Sequence, residues 1–240
     1  MRRVIVIPAR YASTRLPGKP LAPITGKPLI QWVYERAGTS TLKQETLIAT
    51  DDARIRDAAV SFGASVVMTP VDCASGTDRV HEAIKGRDAD IIVNVQGDEP
   101  SIRGDMIDTL FSVIEEESLD MATLCTPVKD KSELNNPHTV KVVLDQHGFA
   151  LYFSRSLIPF PQKPAGADVY KHIGIYGFSR SFLERFVNLP KGKLEQMESL
   201  EQLRALEAGY KIKVLVVEYD GVSVDTPEDL ARATSLLSTS

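Results

Sequence analysis

Short apolar runs alternate along this chain with segments in which apolar residues return every three or four positions. The first run, Val4-Ile5-Val6-Ile7, has no polar break and reads as a strand buried on both faces. Residues 29–37 follow with helical spacing, with Pro28 at the first turn and Gly38 just past the end. Residues 46–49 predict a strand, 52–62 a helix ended by Gly63, and 66–68 a short strand. Residues 77–85 predict a helix, 91–95 a second unbroken apolar strand, 106–117 a helix and 121–124 a strand. This alternation predicts an α/β fold: a mainly parallel, doubly wound sheet with right-handed crossovers and helices on both faces.

The pattern changes after that. Residues 140–144 and 151–154 are strand-like and flank Asp145-Gln146-His147-Gly148, which reads as a hairpin connection. Residues 158–166 carry three prolines and a glycine and predict a loop. The region near 128–175 is therefore expected to be an insertion that covers a site or pairs with a second subunit. Residues 171–178 return as a strand, 194–208 predict one helix stopped by Gly209, 212–217 a strand, and 227–237 the last helix. No repeat or separate linker divides the 240 residues, so a single domain with an inserted lobe is expected.

Composition narrows the field. A net charge of −4 gives no bulk attraction to nucleic acid or to an anionic membrane. The two cysteines, Cys73 and Cys125, have no metal or redox spacing, as expected in a reducing compartment. Residues 4–7 are too short for a signal-peptide core, and no run approaches the roughly 20 apolar residues of a membrane span, so a cytoplasmic protein is expected.

The exit of the first strand is unusual: Pro8-Ala9-Arg10-Tyr11-Ala12-Ser13-Thr14-Arg15-Leu16-Pro17-Gly18-Lys19-Pro20. Between Pro8 and Tyr34 stand Arg10, Arg15, Lys19 and Lys27, with no acid. Ligands of open α/β sheets bind at the carboxyl ends of the strands. Small residues let backbone N–H groups approach a polyphosphate, and Arg10, Arg15 and Lys19 can neutralise it. No G-x-G-x-x-G, Walker A, G-x-S-x-G or zincin motif occurs. Polyphosphate chemistry assisted by a carboxylate-held Mg²⁺ is the remaining expectation.

Five further segments carry candidate chemistry. Asn94-Val95-Gln96-Gly97-Asp98-Glu99-Pro100 puts Gln96 and Asp98 at the exit of a buried strand, where Asp98 could hold a metal or simply shape a turn. In Asp225-Thr226-Pro227-Glu228-Asp229, Thr226 reads as a helix cap, and Asp225, one residue earlier, is free to face a ligand. Period two puts His172, Gly174, Tyr176 and Phe178 on one face, either a pocket wall or a half-exposed strand. In a continuous 194–208 helix, Glu201 falls inside the stripe of Leu194, Met197, Ala205 and Ala208, needing either a polyol or a salt bridge such as Arg204. Ser75-Gly76 could admit a flat base or be an ordinary cap.

The first-strand loop just quoted through Leu21, Ser75-Gly76-Thr77-Asp78-Arg79, residues 94–100, 140–145, 150–155, 172–177 and 224–230 together closely resemble the 3-deoxy-manno-octulosonate (Kdo) cytidylyltransferases, in order over nearly the whole chain. The resemblance implies a homodimeric, Rossmann-like nucleotidyltransferase that makes CMP-Kdo and diphosphate from CTP and Kdo, for lipopolysaccharide assembly. It implies a triphosphate clamp of Arg10, Arg15 and Lys19, with Arg15 and Lys19 catalytic. Ala9, Ser75 and Gly76 would contact cytosine, and Asp98 and Asp225 would be the catalytic Mg²⁺ ligands. Gln96, Arg155, His172, Tyr176, Glu201 and Gln202 would form the Kdo pocket, with Arg155 on the sugar carboxylate. Ser223 departs from the glycine that is commoner there in the family. An 8-amino analogue of Kdo or a sialic acid is the alternative substrate, and a non-catalytic nucleotide-sensing module is a remote one.

Overall fold

The computed structural model describes residues 1–12, 16–162 and 168–238. Its strands are β1 (Arg3–Ala9), β2 (Pro23–Ile24), β3 (Lys27–Pro28), β4 (Glu45–Thr50), β5 (Ser65–Met68), β6 (Ile91–Val95), β7 (Met121–Pro127), β8 (Lys141–Leu144), β9 (Ala150–Ser154), β10 (Tyr170–Ser179) and β11 (Lys213–Val216). Its helices are α1 (Leu29–Ala37), α2 (Ala53–Ser61), α3 (Gly76–Ile84), α4 (Gly104–Glu116), α5 (Arg180–Phe186), α6 (Lys193–Glu198), α7 (Leu203–Glu207) and α8 (Pro227–Leu237).

The main sheet is ordered β11-β7-β10-β6-β1-β4-β5. The pairs β5–β4, β4–β1, β1–β6 and β7–β11 are parallel, as the β-α alternation requires. β10 is inserted antiparallel between β6 and β7. It can run backwards because the chain reaches it through hairpin and loop rather than through a crossover helix. β8 and β9 form the expected hairpin, with Gly148 at φ +78°, and β8 extends the sheet from the start of β10.

The unbroken apolar strands follow from a core on each face. Ile5 and Ile7 pack with α1 and α4, while Val4 and Val6 pack with α3 and α5. One sequence expectation is corrected and one helix is added. Residues 194–208 are not one helix: α6 ends at Ser199, in the left-handed region at φ 51°, and α7 begins at Leu203. Leu194 and Met197 are therefore exposed, at 37% and 83%, and the predicted apolar stripe does not form. α5, with Ser179 capping it and Phe182, Leu183 and Phe186 buried, was hidden in a segment whose i, i+1, i+4 spacing is only seven residues long.

Candidate active site

A cavity of about 1000 Å³ opens at the carboxyl ends of β1 and β6. This is where a doubly wound sheet places its ligand, because the loops diverge on either side of the crossover reversal. Its floor includes Ala9, Arg10 and Lys19 from the first loop, Gln96 and Asp98 from the second, and Asp225. Ser75 and Gly76 line it from the start of α3, and Ser199, Leu200 and Glu201 from the α6–α7 break.

Lys19 is held by a local device. Gly18 adopts φ +68°, which brings Lys19 into a 3-10 turn and packs the glycine against the Tyr11 ring. A β-carbon at Gly18 would come within 3.1 Å of that ring. The Arg54 guanidinium also lies over the Tyr11 ring, 3.3 Å from its centroid. Lys19 Nζ then donates to Asp98 Oδ2 at 2.6 Å and to Asp225 Oδ1 at 3.0 Å. Burial pushes the Lys19 ammonium towards lower pKa, but Asp98 and Asp225 outweigh it and the net shift is upward.

The two carboxylate loops are joined directly, since Val224 N donates to Asp98 O at 2.9 Å. Gly97 lets the second loop lie on the first: a β-carbon there would approach Pro8 O to 2.8 Å. Glu99 is buried beneath them and accepts from Tyr219 Oη at 2.9 Å. Burial, and then the neighbouring Asp98 charge, pushes Glu99 up to about 7, with Tyr219 and Ser223 pulling the other way. Glu99 carries no signal in the sequence beyond turn composition. Thr226 caps α8 and Asp229 completes the capping box, yet Asp225 still faces the cavity, so the cap and the functional reading coexist.

Ser75 is likewise both cap and wall: it caps α3 through Asp78 N at 3.1 Å and lines the cavity. Glu201 crosses to meet this helix, accepting from Thr77 Oγ1 at 2.6 Å. Its Oε1 lies 3.5 Å from Arg204 Nη2, an ion-pair contact, and accepts no hydrogen bond among the described residues. Burial pushes Glu201 up, partly offset by Ser75, Thr77 and Arg204. The Arg204 salt bridge expected for Glu201 is therefore present, and Arg204 also forms a bidentate buried pair with Glu195 at 2.6 and 2.9 Å. That pair lines the cavity and was not legible in the sequence, because its geometry exists only once the helix is broken.

The remaining candidates fall outside the lining. His172 Nε2 meets Thr123 Oγ1 at 2.9 Å, and its ring stands 5.3 Å from Tyr176, centroid to centroid, so the shared face is real. Burial pushes His172 down to about 3 and Tyr176 far up. Gln202 is buried, and its Nε2 has no partner among the described residues. The Arg155 guanidinium donates to the carbonyls of Glu198, Pro137 and Ser199, just behind the cavity wall. Arg15 lies outside the described residues.

Two carboxylates converging on one cationic nitrogen fit a hard divalent ion, which takes oxygen ligands. Lys19 Nζ serves as the stand-in cation, and no third acidic, His or Cys group completes a cluster among the described residues.

The cytidylyltransferase family model matches residues 4–212, and the chain belongs to that family. Relatives named 8-amino-3,8-dideoxy-manno-octulosonate cytidylyltransferase include that of Shewanella pealeana, 52% identical over 235 residues, and that of Shewanella halifaxensis, 50% identical, each alignment covering 96% of both chains. The structure of a CMP:2-keto-3-deoxy-manno-octonic acid synthetase complexed with CTP matches with TM-score 0.95 and 46% identity, over 100% of this chain and 99% of that one. A 4-diphosphocytidyl-2C-methyl-D-erythritol synthase from Anaerococcus prevotii shares the fold at TM-score 0.66 and 14% identity, over 99% of this chain and 96% of that one. The chain is a cytidylyltransferase with the α/β nucleotidyltransferase fold.

Proposed function

We propose that this enzyme transfers CMP from CTP to the anomeric hydroxyl of Kdo, releasing diphosphate, in the assembly of lipopolysaccharide. The observation that carries the reading is the convergence of Lys19, Asp98 and Asp225 on one cavity that Gln96 and Glu201 also line. The charged cluster suits a triphosphate, and the Gln96 and Glu201 side chains suit a polyol.

Ala9, Ser75 and Gly76 offer backbone and little bulk to the cytosine. Arg10 and Lys19, with Arg15, neutralise the triphosphate and the departing diphosphate. Asp98 and Asp225 would hold Mg²⁺, which when bound neutralises phosphate charge and lowers the pKa of a hydroxyl. The anomeric hydroxyl attacks the α-phosphorus in line, so the protein's contribution is positioning and charge stabilisation rather than a covalent intermediate. Gln96 and Glu201 accept from or donate to the sugar. Arg155, whose guanidinium is held by three carbonyls behind the cavity wall, supports the sugar-acid region together with His172, Tyr176 and Gln202 rather than contacting the sugar carboxylate.

A second sugar is favoured by a specific observation: relatives at 48–52% identity are named for the 8-amino sugar. An ammonium at that position would suit the Glu201 carboxylate. Cytoplasmic placement and a homodimer formed through the 128–175 region complete the reading.

The test is diphosphate release from CTP and Mg²⁺ with Kdo, 8-amino-Kdo and N-acetylneuraminate in parallel. Turnover with Kdo supports the reading, turnover with the amino sugar alone replaces the substrate, and turnover with neither octulosonate overturns it.

A further inference from the structure

Lys141 is fully buried, the one lysine so placed among the described residues. Its ammonium touches no carboxylate among the described residues. Instead Nζ donates to three backbone carbonyls, those of Asn136 at 2.9 Å, Thr139 at 2.6 Å and Arg155 at 2.6 Å. All three ammonium hydrogens are therefore used, which is the condition for keeping such a charge out of water. Glu198 and Arg155 are the charged groups whose fields reach it, and burial lowers its pKa.

The cage sits at a junction. Arg155 is held at both ends of its main chain: its carbonyl by Lys141, and its N–H by Glu198 Oε2 at 2.9 Å. Ser154 Oγ donates to the other Glu198 oxygen at 2.7 Å. The Arg155 side chain then donates through Nε to Glu198 O at 2.7 Å, through Nη1 to Pro137 O at 2.9 Å and through Nη2 to Ser199 O at 3.4 Å. These carbonyls include the left-handed break at Ser199, the point where α6 stops and the chain turns to present Ser199, Leu200 and Glu201 to the cavity. Neither Lys141 nor Arg155 lines the cavity.

We propose that Lys141 is a positioning residue for the sugar-acid half of the site. Its ammonium ties the 136–139 turn to the end of β9, fixes Arg155, and through Arg155 sets the α6–α7 break. The CTP half, built on β1 and β6, does not depend on it. This rests on the functional reading given above, which makes Glu201 a sugar contact.

The test uses the full-length Lys141→Met protein, which keeps the length of the side chain and removes its three donors. A hydrogen bond from a charged group is worth enough to change an equilibrium roughly ten- to hundredfold, so the KM for the sugar acid should rise by about tenfold or more. The KM for CTP should stay within about twofold. Lys141→Arg should not rescue, because a planar fork cannot donate to three carbonyls arranged around one nitrogen. Rescue by arginine would show that charge alone matters, and would overturn the proposal, as would an unchanged sugar KM or an equal rise for CTP.

Should the variant not fold, the wild type decides. The protected Nζ resonance of Lys141 in ¹⁵N-lysine-labelled protein should shift when sugar acid is added to the CTP-bound enzyme and not when CTP is added alone. No response to the sugar acid would overturn the proposal. If the wild type turns over neither Kdo nor 8-amino-Kdo, it is the functional reading that falls; if it turns over and Lys141→Met keeps its sugar KM, only this inference does.

Discussion

Replacing Lys19 with methionine removes an ammonium that bridges Asp98 and Asp225. Their nearest oxygens are 2.6 and 3.0 Å from Nζ, so those oxygens lie no farther apart than the sum of the two distances. With the ammonium gone, two carboxylates roughly 5 Å apart repel by about 3 kcal/mol at an effective dielectric near 20, and by less than about 1 kcal/mol in bulk water. The side chains are 16%, 25% and 38% exposed, so the cost lies between those limits. A loss of about 1–3 kcal/mol lowers the melting temperature of a domain this size by roughly 2–10 °C. The same repulsion favours a divalent cation, since Lys19 and the metal compete for one pair of oxygens. Thermal unfolding with and without Mg²⁺ should therefore show a larger Mg²⁺-dependent rise in melting temperature for Lys19→Met than for the wild type. Diphosphate release should fall by on the order of 10² or more, because a preorganised charge on the phosphates is lost. An unchanged melting temperature in the absence of metal, together with a Mg²⁺ shift no larger than that of the wild type, would refute the convergence of these three groups.

Other perturbations have defined outcomes. Glu195→Gln strips Arg204 of its buried bidentate partner and should cost about 3–5 kcal/mol, read by denaturant unfolding. Gly97→Ala forces the second loop away from Pro8 O and should lower turnover while leaving far-UV circular dichroism unchanged. Glu201→Gln keeps the shape and removes the charge; its sugar KM should rise, and by more for 8-amino-Kdo than for Kdo if the ammonium is read there. Burial pushes His172 down to about 3 from an ordinary value of 6.5, so the unfolded chain binds the extra proton in that window. Stability is then fully present above pH 6.5 and declines as the pH falls towards 3; His172→Gln should flatten that slope in melting temperature against pH.

Several features were legible because they are local. The unbroken apolar runs of β1 and β6 announce strands covered on both faces, and α1 and α8 begin and end where Pro28, Thr226 and the last apolar residues predict. The basic loop after β1 and the acids at 98 and 225 could be placed at strand or helix ends, and the sheet brings them to one cavity as a doubly wound topology requires.

What tertiary structure decided is of another kind. The reversal of β10 depends on how the chain returns from the β8–β9 hairpin, and the break at Ser199 depends on carbonyls captured by Arg155 from another part of the fold. Residues 194–208 have adequate helical spacing, and nothing within them reports that break. The bidentate pairing of Arg204 with Glu195, the burial of Glu99 against Tyr219 and the caged ammonium of Lys141 all arise between segments far apart in sequence or bent out of register. A residue's type and spacing determine which local hydrogen bonds and which buried face it can supply. Which partner a desolvated charge finds is settled only when packing has excluded water and the rest of the chain has arrived.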